Sequence, residues 1–159
     1  MAWAEAEKKN MAAKAEAAVR KMTEGATSLS LQRASIGDKG TAKIAKELGK
    51  NATVEGIYLD RNQITDKGAA NLAGALRENI TLKVLYLGQN QITDEGAARL
   101  AGALRENATL TYLNLDGNPM SVAGKQAVFD LVKQNKEGPA AAQACVEAVA
   151  AAELVPPRV

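Results

Sequence analysis

The chain has 159 residues, enough for one domain or one compact array with extensions. Hydrophobic residues make up 47% of it but aromatics only 3%, so any core must come from Leu, Ile, Val and close Ala and Gly contacts. Twenty basic and eighteen acidic residues leave a net charge of +2, which provides no strong field for nucleic acid or an anionic membrane.

Residues 1–25 read as a helical cap or extension. Met11, Ala15, Ala18 and Met22 recur at steps of four, three and four, with Val19 beside them, the stripe of a helix that packs along one side. Trp3 lies on the same stripe further out. Its indole is too large to leave in water cheaply, so it is expected to anchor the helix, with docking to another protein as its other use. Glu5, Glu7 and Glu16 make the segment a poor secretion signal or organelle presequence. No apolar run approaches the roughly 20 residues that cross a bilayer. The expected location is intracellular, cytoplasmic in the first instance, or an organelle if a targeting peptide has been removed.

Residues 26–137 repeat. The stretch NQITDKGAANLAGALREN (62–79) returns as NQITDEGAARLAGALREN (90–107), with only Lys67/Glu95 and Asn71/Arg99 changed. Asn62, Asn90 and Asn118 are 28 residues apart, as are Gly40, Gly68, Gly96 and Gly124, and Asn51, Asn79, Asn107 and Asn135. Each unit opens with a short alternation: VEGIYLDRN, LKVLYLGQN, LTYLNLDGN. Ile57/Leu59, Leu85/Leu87 and Leu113/Leu115 suit short strands with one buried face. The following segment puts Gly68, Leu72, Ala73 and Leu76 on one side of a helix. Thr65 or Asp66 is expected to cap its start, and Asn79 to take a left-handed turn at its end. The first unit, ATSLSLQRA, has Ala34 where the others have Asn.

Residues 138–159 form a third segment. Gly138-Pro139 breaks the chain after the apolar Val128, Phe129, Leu131 and Val132. In the Ala-rich run beyond it, Cys145, Val149 and Ala152 recur at helical spacing, and Pro156-Pro157 ends it. Cys145 reads as a small buried hydrophobe rather than a reactive thiol. This segment is expected either to cap the array or to dock on another protein, with Cys145 and Val149 on the docking stripe.

The repeated L-x-x-L-x-L-x-x-N pattern, with a helix in each 28-residue unit, resembles the leucine-rich repeat family in its ribonuclease-inhibitor-like form. The resemblance covers about residues 26–135, roughly four units. It implies an α/β solenoid with a parallel sheet on its concave face and helical segments at both ends. It also implies that Asn62, Asn90 and Asn118 form a buried ladder bonding to backbone groups at the bend after each strand. By family geometry, Ser30, Tyr58, Tyr86 and Asn114 run down the middle of the concave face. Arg33, Asp60, Arg61, Gln89 and Asp116, together with Gln32, flank them. Tyr58 and Tyr86 should lie about 5 Å apart.

Units 54–81 and 82–109 are identical at 19 of 28 positions, and six of the nine differences fall within the first eight, around the strand. A constant frame with a diversified face is what a binding surface would show. Catalytic chemistry has little to work with. There is no histidine, the commonest general base and metal ligand, and a lone cysteine excludes an internal disulfide and a Cys-rich zinc site. Asp38, Asp66 and Asp94 stack at equivalent positions, where each is expected to cap or charge its own helix N-terminus. No catalytic residue, metal, cofactor or small-molecule substrate is expected. The N-x-T sequons at Asn51, Asn79 and Asn107 arise from the repeat and are expected to stay unmodified.

The expected function is a non-catalytic protein-interaction or scaffold module that binds a protein partner on the concave face. The alternative is a small structural subunit of a large, multi-subunit and possibly organellar complex, held by its helical extensions. A GTPase regulator is a lesser alternative, because the Ran GTPase-activating proteins use long repeats of this type.

Overall fold

A computed structural model describes residues 2–138. Helix α1 (Ala2–Thr23) leads into four strand–helix units: β1 (Ser28–Ser30) and α2 (Gly37–Leu48), β2 (Gly56–Tyr58) and α3 (Asp66–Glu78), β3 (Val84–Tyr86) and α4 (Asp94–Leu104), β4 (Tyr112–Asn114) and α5 (Val122–Glu137). The strands form one parallel sheet in the order β1-β2-β3-β4. Its register advances by the repeat, with Leu29 beside Ile57, Ile57 beside Leu85, and Leu85 beside Leu113. No described helix is long and apolar enough to cross a membrane.

The core fills the space between sheet and helices. Ile57, Leu59, Leu85 and Leu87 enter it from the strands; Leu72, Leu76, Leu100 and Leu104 meet them from the helices. A single unit has too little of this layer to hold itself together, so each depends on its neighbours.

Two ladders of buried asparagine tie the units together. In the first, Asn90 Nδ2 donates to the Leu59 and Leu87 carbonyls at 3.1 and 2.9 Å, while Oδ1 accepts from the Asn62 and Ile64 N–H groups at 2.8 and 3.1 Å. Asn62 does the same one unit earlier, accepting from Ala34 N–H and donating to the Leu31 carbonyl. Each asparagine thus serves the unit before it. The first unit has no predecessor, which accounts for Ala34: its backbone N–H needs Asn62, but its side chain has nothing to bond. Asn118, expected to be buried, is half-buried, because no further repeat among the described residues covers it.

The second ladder corrects an expectation. Asn79 does not make a left-handed turn; its φ of −81° and ψ of 129° are extended. Its Nδ2 donates to the Leu48 and Asn51 carbonyls, and its Oδ1 accepts from Thr81 and Leu82 N–H. Asn107 repeats the arrangement on Leu76, Asn79, Thr109 and Leu110.

The aspartates stand in the first turns of their own helices, as expected, but their hydrogen bonds go elsewhere. Asp38 caps the next unit rather than its own: Thr65 N–H and Gly68 N–H donate to Oδ1 at 2.8 and 3.0 Å, and the Thr65 hydroxyl donates to Oδ2 at 2.6 Å. Asp66 holds Thr93 and Gly96 in the same way. Asp94 takes Ser121. This explains the recurrent glycine as well. A Cβ on Gly68 would lie 2.6 Å from Asp38 Oδ1 and 2.5 Å from Ile64 Cγ2. Thr65 and Thr93 meanwhile cap their own helices through Lys67 and Glu95 N–H.

Helix α1 is half cap, half projection. Ala15, Ala18 and Met22 are buried against the first unit, and Lys43 pairs with Glu16 at 2.8 Å. Residues 3–10 are exposed along their whole length. Trp3, expected to anchor the helix, is 74% exposed. The stack is too narrow to reach it, since α1 outruns the first unit by about two turns.

Candidate protein-interaction face

The sheet turns two rows of side chains to solvent on its concave side. Strand register aligns Ser30, Tyr58, Tyr86 and Asn114 in one row, and Ser28, Gly56, Val84 and Tyr112 in the other. The Tyr58 and Tyr86 rings stack with centroids 5.0 Å apart and planes 23° from parallel. A third ring, Tyr112, continues the stack at 5.1 Å from Tyr86. Tyr112 stands in the neighbouring row and leans across. Sequence reasoning misses it because the middle column places Asn114, not an aromatic, beside Tyr86. The signal that reveals it is period-two alternation, since the third and fifth positions of each unit point the same way.

Three stacked phenols give a continuous apolar strip edged with hydroxyls. The neighbouring Tyr112 hydroxyl, partial burial and nearby Tyr58 and Asp60 push the Tyr86 pKa above its ordinary value. A Cβ at Gly56 would meet the Tyr58 ring at ordinary contact distance, 3.6 Å, so the ring lies directly over this position.

Beyond the tyrosines, the predicted residues divide. Arg33, Arg61 and Gln89 have φ of 55°, 57° and 51°, at a position where the fourth unit has Gly117 at 76°. This left-handed bend lets each N–H reach the next unit's carbonyl: Arg33 to Asp60, Arg61 to Gly88, Gln89 to Asp116. Non-glycine residues are strained there, yet both arginine side chains are exposed beside the sheet. Asp60 commits its carboxylate internally, accepting from Gly88 N–H at 3.0 Å and the Gln32 amide at 3.2 Å. Asn114 and Asp116 bond each other, and Lys125 pairs with Asp116, which lowers that carboxyl's pKa. Ser30 is exposed on the first strand. Trp3 lies outside this face, at the far end of α1; Cys145 and Val149 lie outside the described residues.

A curved parallel sheet lined by helices of a constant repeat is the build of a solenoid protein, whose concave surface is free for contact. A family profile described as Leucine Rich repeat matches residues 50–73, 78–101 and 106–128. Over those three stretches the chain matches the leucine-rich repeat family. Among solved structures it is similar to Leiomodin-1 Actin-Binding Site 2, at 17% identity and a TM-score of 0.64, covering 84% of this chain and 96% of that one. It is also similar to the Caenorhabditis elegans tropomodulin C-terminal domain, at 16% identity and a TM-score of 0.55, covering 77% and 93%. At those identities the likeness is one of fold. No curated protein matches the sequence.

Proposed function

We propose that this chain is a non-catalytic protein-interaction module that takes a protein partner on its concave sheet. The observation that carries the reading is the stack of Tyr58, Tyr86 and Tyr112, flanked by Arg33 and Arg61. Tyrosine and arginine dominate interface energetics because each combines a large contact area with directed hydrogen bonds. Two arginines in a conformation that costs a side-chained residue energy are a reason to look for a use of their side chains.

Replacing Tyr58 and Tyr86 with Ala should abolish capture of protein partners by the immobilised chain while leaving its circular dichroism and melting point in place. Undiminished capture would remove the concave face from consideration. One structural neighbour is an actin-binding site of leiomodin-1, so purified actin belongs among the ligands offered to the immobilised chain.

A second reading, a subunit held in a larger complex by its extensions, is favoured by the exposed Trp3. Trp3→Ala would then release the chain from its assembly and the tyrosine variant would not. An intracellular location fits the sequons: the Asn79 and Asn107 amides are buried and bonded to backbone. Glycan on native protein would contradict it.

A further inference from the structure

The copied stretch changes at only two places between the second and third units, and both changes alter charge on the helices. In the third unit the two residues answer each other: Arg99 pairs with Glu95 at 3.6 Å. The second unit has Lys67 and Asn71 at those places, and the first has Lys39 and Lys43. Lys39 and Lys67 stand in the first turns of their helices, where the dipole favours an acid and opposes a base. Two units therefore keep lysine against the local preference that the third unit obeys.

These lysines edge a groove of about 690 Å³ between α1 and the start of α2. Met11, Ala12, Ile36 and Gly37 give it an apolar lining, and Lys8, Lys39, Lys43 and Lys67 stand around it. Lys43 is already paired with Glu16. The carboxylate of the lining, Asp38, is taken up by Thr65 and Gly68. Lys8, Lys39 and Lys67 are exposed and form no ion pair among the described residues.

We propose that this groove docks an acidic segment of a partner protein, with an aliphatic side chain between Met11 and Ile36 and carboxylates on Lys8, Lys39 and Lys67. Charge selects the occupant, because three uncommitted cations around an apolar lining complement a peptide that carries both carboxylates and aliphatic groups. Nucleic acid fits less well: the lining offers no aromatic ring for a base to stack on. The groove is separate from the concave sheet, and the inference stands whichever partner that sheet takes. An acidic segment offers few amines, so a carbodiimide, which joins lysine to carboxylate, is the crosslinker suited to it.

The test follows a short fluorescein-labelled peptide of Glu, Ala and Leu by anisotropy as the full chain is added. Binding should saturate, weaken with added salt, and fall at least about tenfold when Lys39→Glu and Lys67→Glu are combined. That variant should keep its circular dichroism, since the third unit already carries Glu at this position. The same peptide with Lys in place of Glu should bind the variant instead. Tyr58→Ala with Tyr86→Ala should leave binding of the acidic peptide unchanged. Absence of saturable binding would overturn the proposal, as would binding that survives the lysine reversal or is lost in the tyrosine variant. Equal binding of a peptide with Ser in place of Leu, or of single-stranded oligothymidine, would also overturn it, because either would reduce the groove to a patch of positive charge.

Discussion

Asn90 shows how a single side chain holds two repeats at once. Its amide satisfies carbonyls in its own unit and the one before, and its oxygen takes two N–H groups from that earlier unit. Asn90→Ala strands these groups in the interior, and the expected loss is about 1–3 kcal/mol, read by urea unfolding. Arg61 makes the opposite case. Its left-handed backbone favours glycine, so Arg61→Gly should leave stability unchanged or raise it by up to about 1 kcal/mol, while partner capture weakens. A clear loss of stability in that variant would give Arg61 a structural role instead. The first ladder is legible in the sequence because Asn recurs at a fixed place in each repeat. The second recurs just as regularly, but its asparagines end helices, where a local turn explains them equally well. The choice between a bond within the unit and one to a neighbouring unit depends on a contact that spacing does not encode. The place of each aspartate in its own helix's first turn is legible, but its bonds to the next unit are missed for the same reason.

Among the elements, α1 divides by what it touches. Removing residues 2–10 should leave the melting transition in place, since residues 3–10 are exposed. Met22→Asp places an unpaired charge against the first unit and should cost about 3 kcal/mol or more; equal effects from the two changes would refute the division. Strands and repeat helices are legible from alternation and from the 28-residue period. The length of α1 relative to the stack is not: a stripe from Trp3 to Met22 shows which side of a helix is apolar, but not how far the neighbouring surface extends.

At the scale of the whole molecule, bonds between repeats make stability depend on pH in acid. Burial alone would raise the Asp66 pKa, but the Thr93 hydroxyl and the Thr93 and Gly96 N–H groups outweigh it and hold the carboxyl below its ordinary 3.8. A group whose pKa falls on folding adds stability that is fully present above its unfolded pKa and is lost as pH drops through the folded one. Denaturant midpoints should therefore hold steady from neutral pH to about 4 and decline below it, with a shallower decline in Asp66→Asn. An identical acid limb in that variant would show that Asp66 does not join its two repeats. The rest of the molecule is a frame of repeated bonds that leaves its sheet open, and function is assigned to that open surface.

Crosslinking mass spectrometry on native extract tests that assignment most directly. Amine-reactive links to a partner should concentrate at Lys83, beside β3, and at Lys125, beside Asp116, and should vanish when Tyr58 and Tyr86 are both alanine. Links concentrated at Lys43, Lys46 and Lys67 on the helical side, unaffected by the tyrosine variant, would contradict the account.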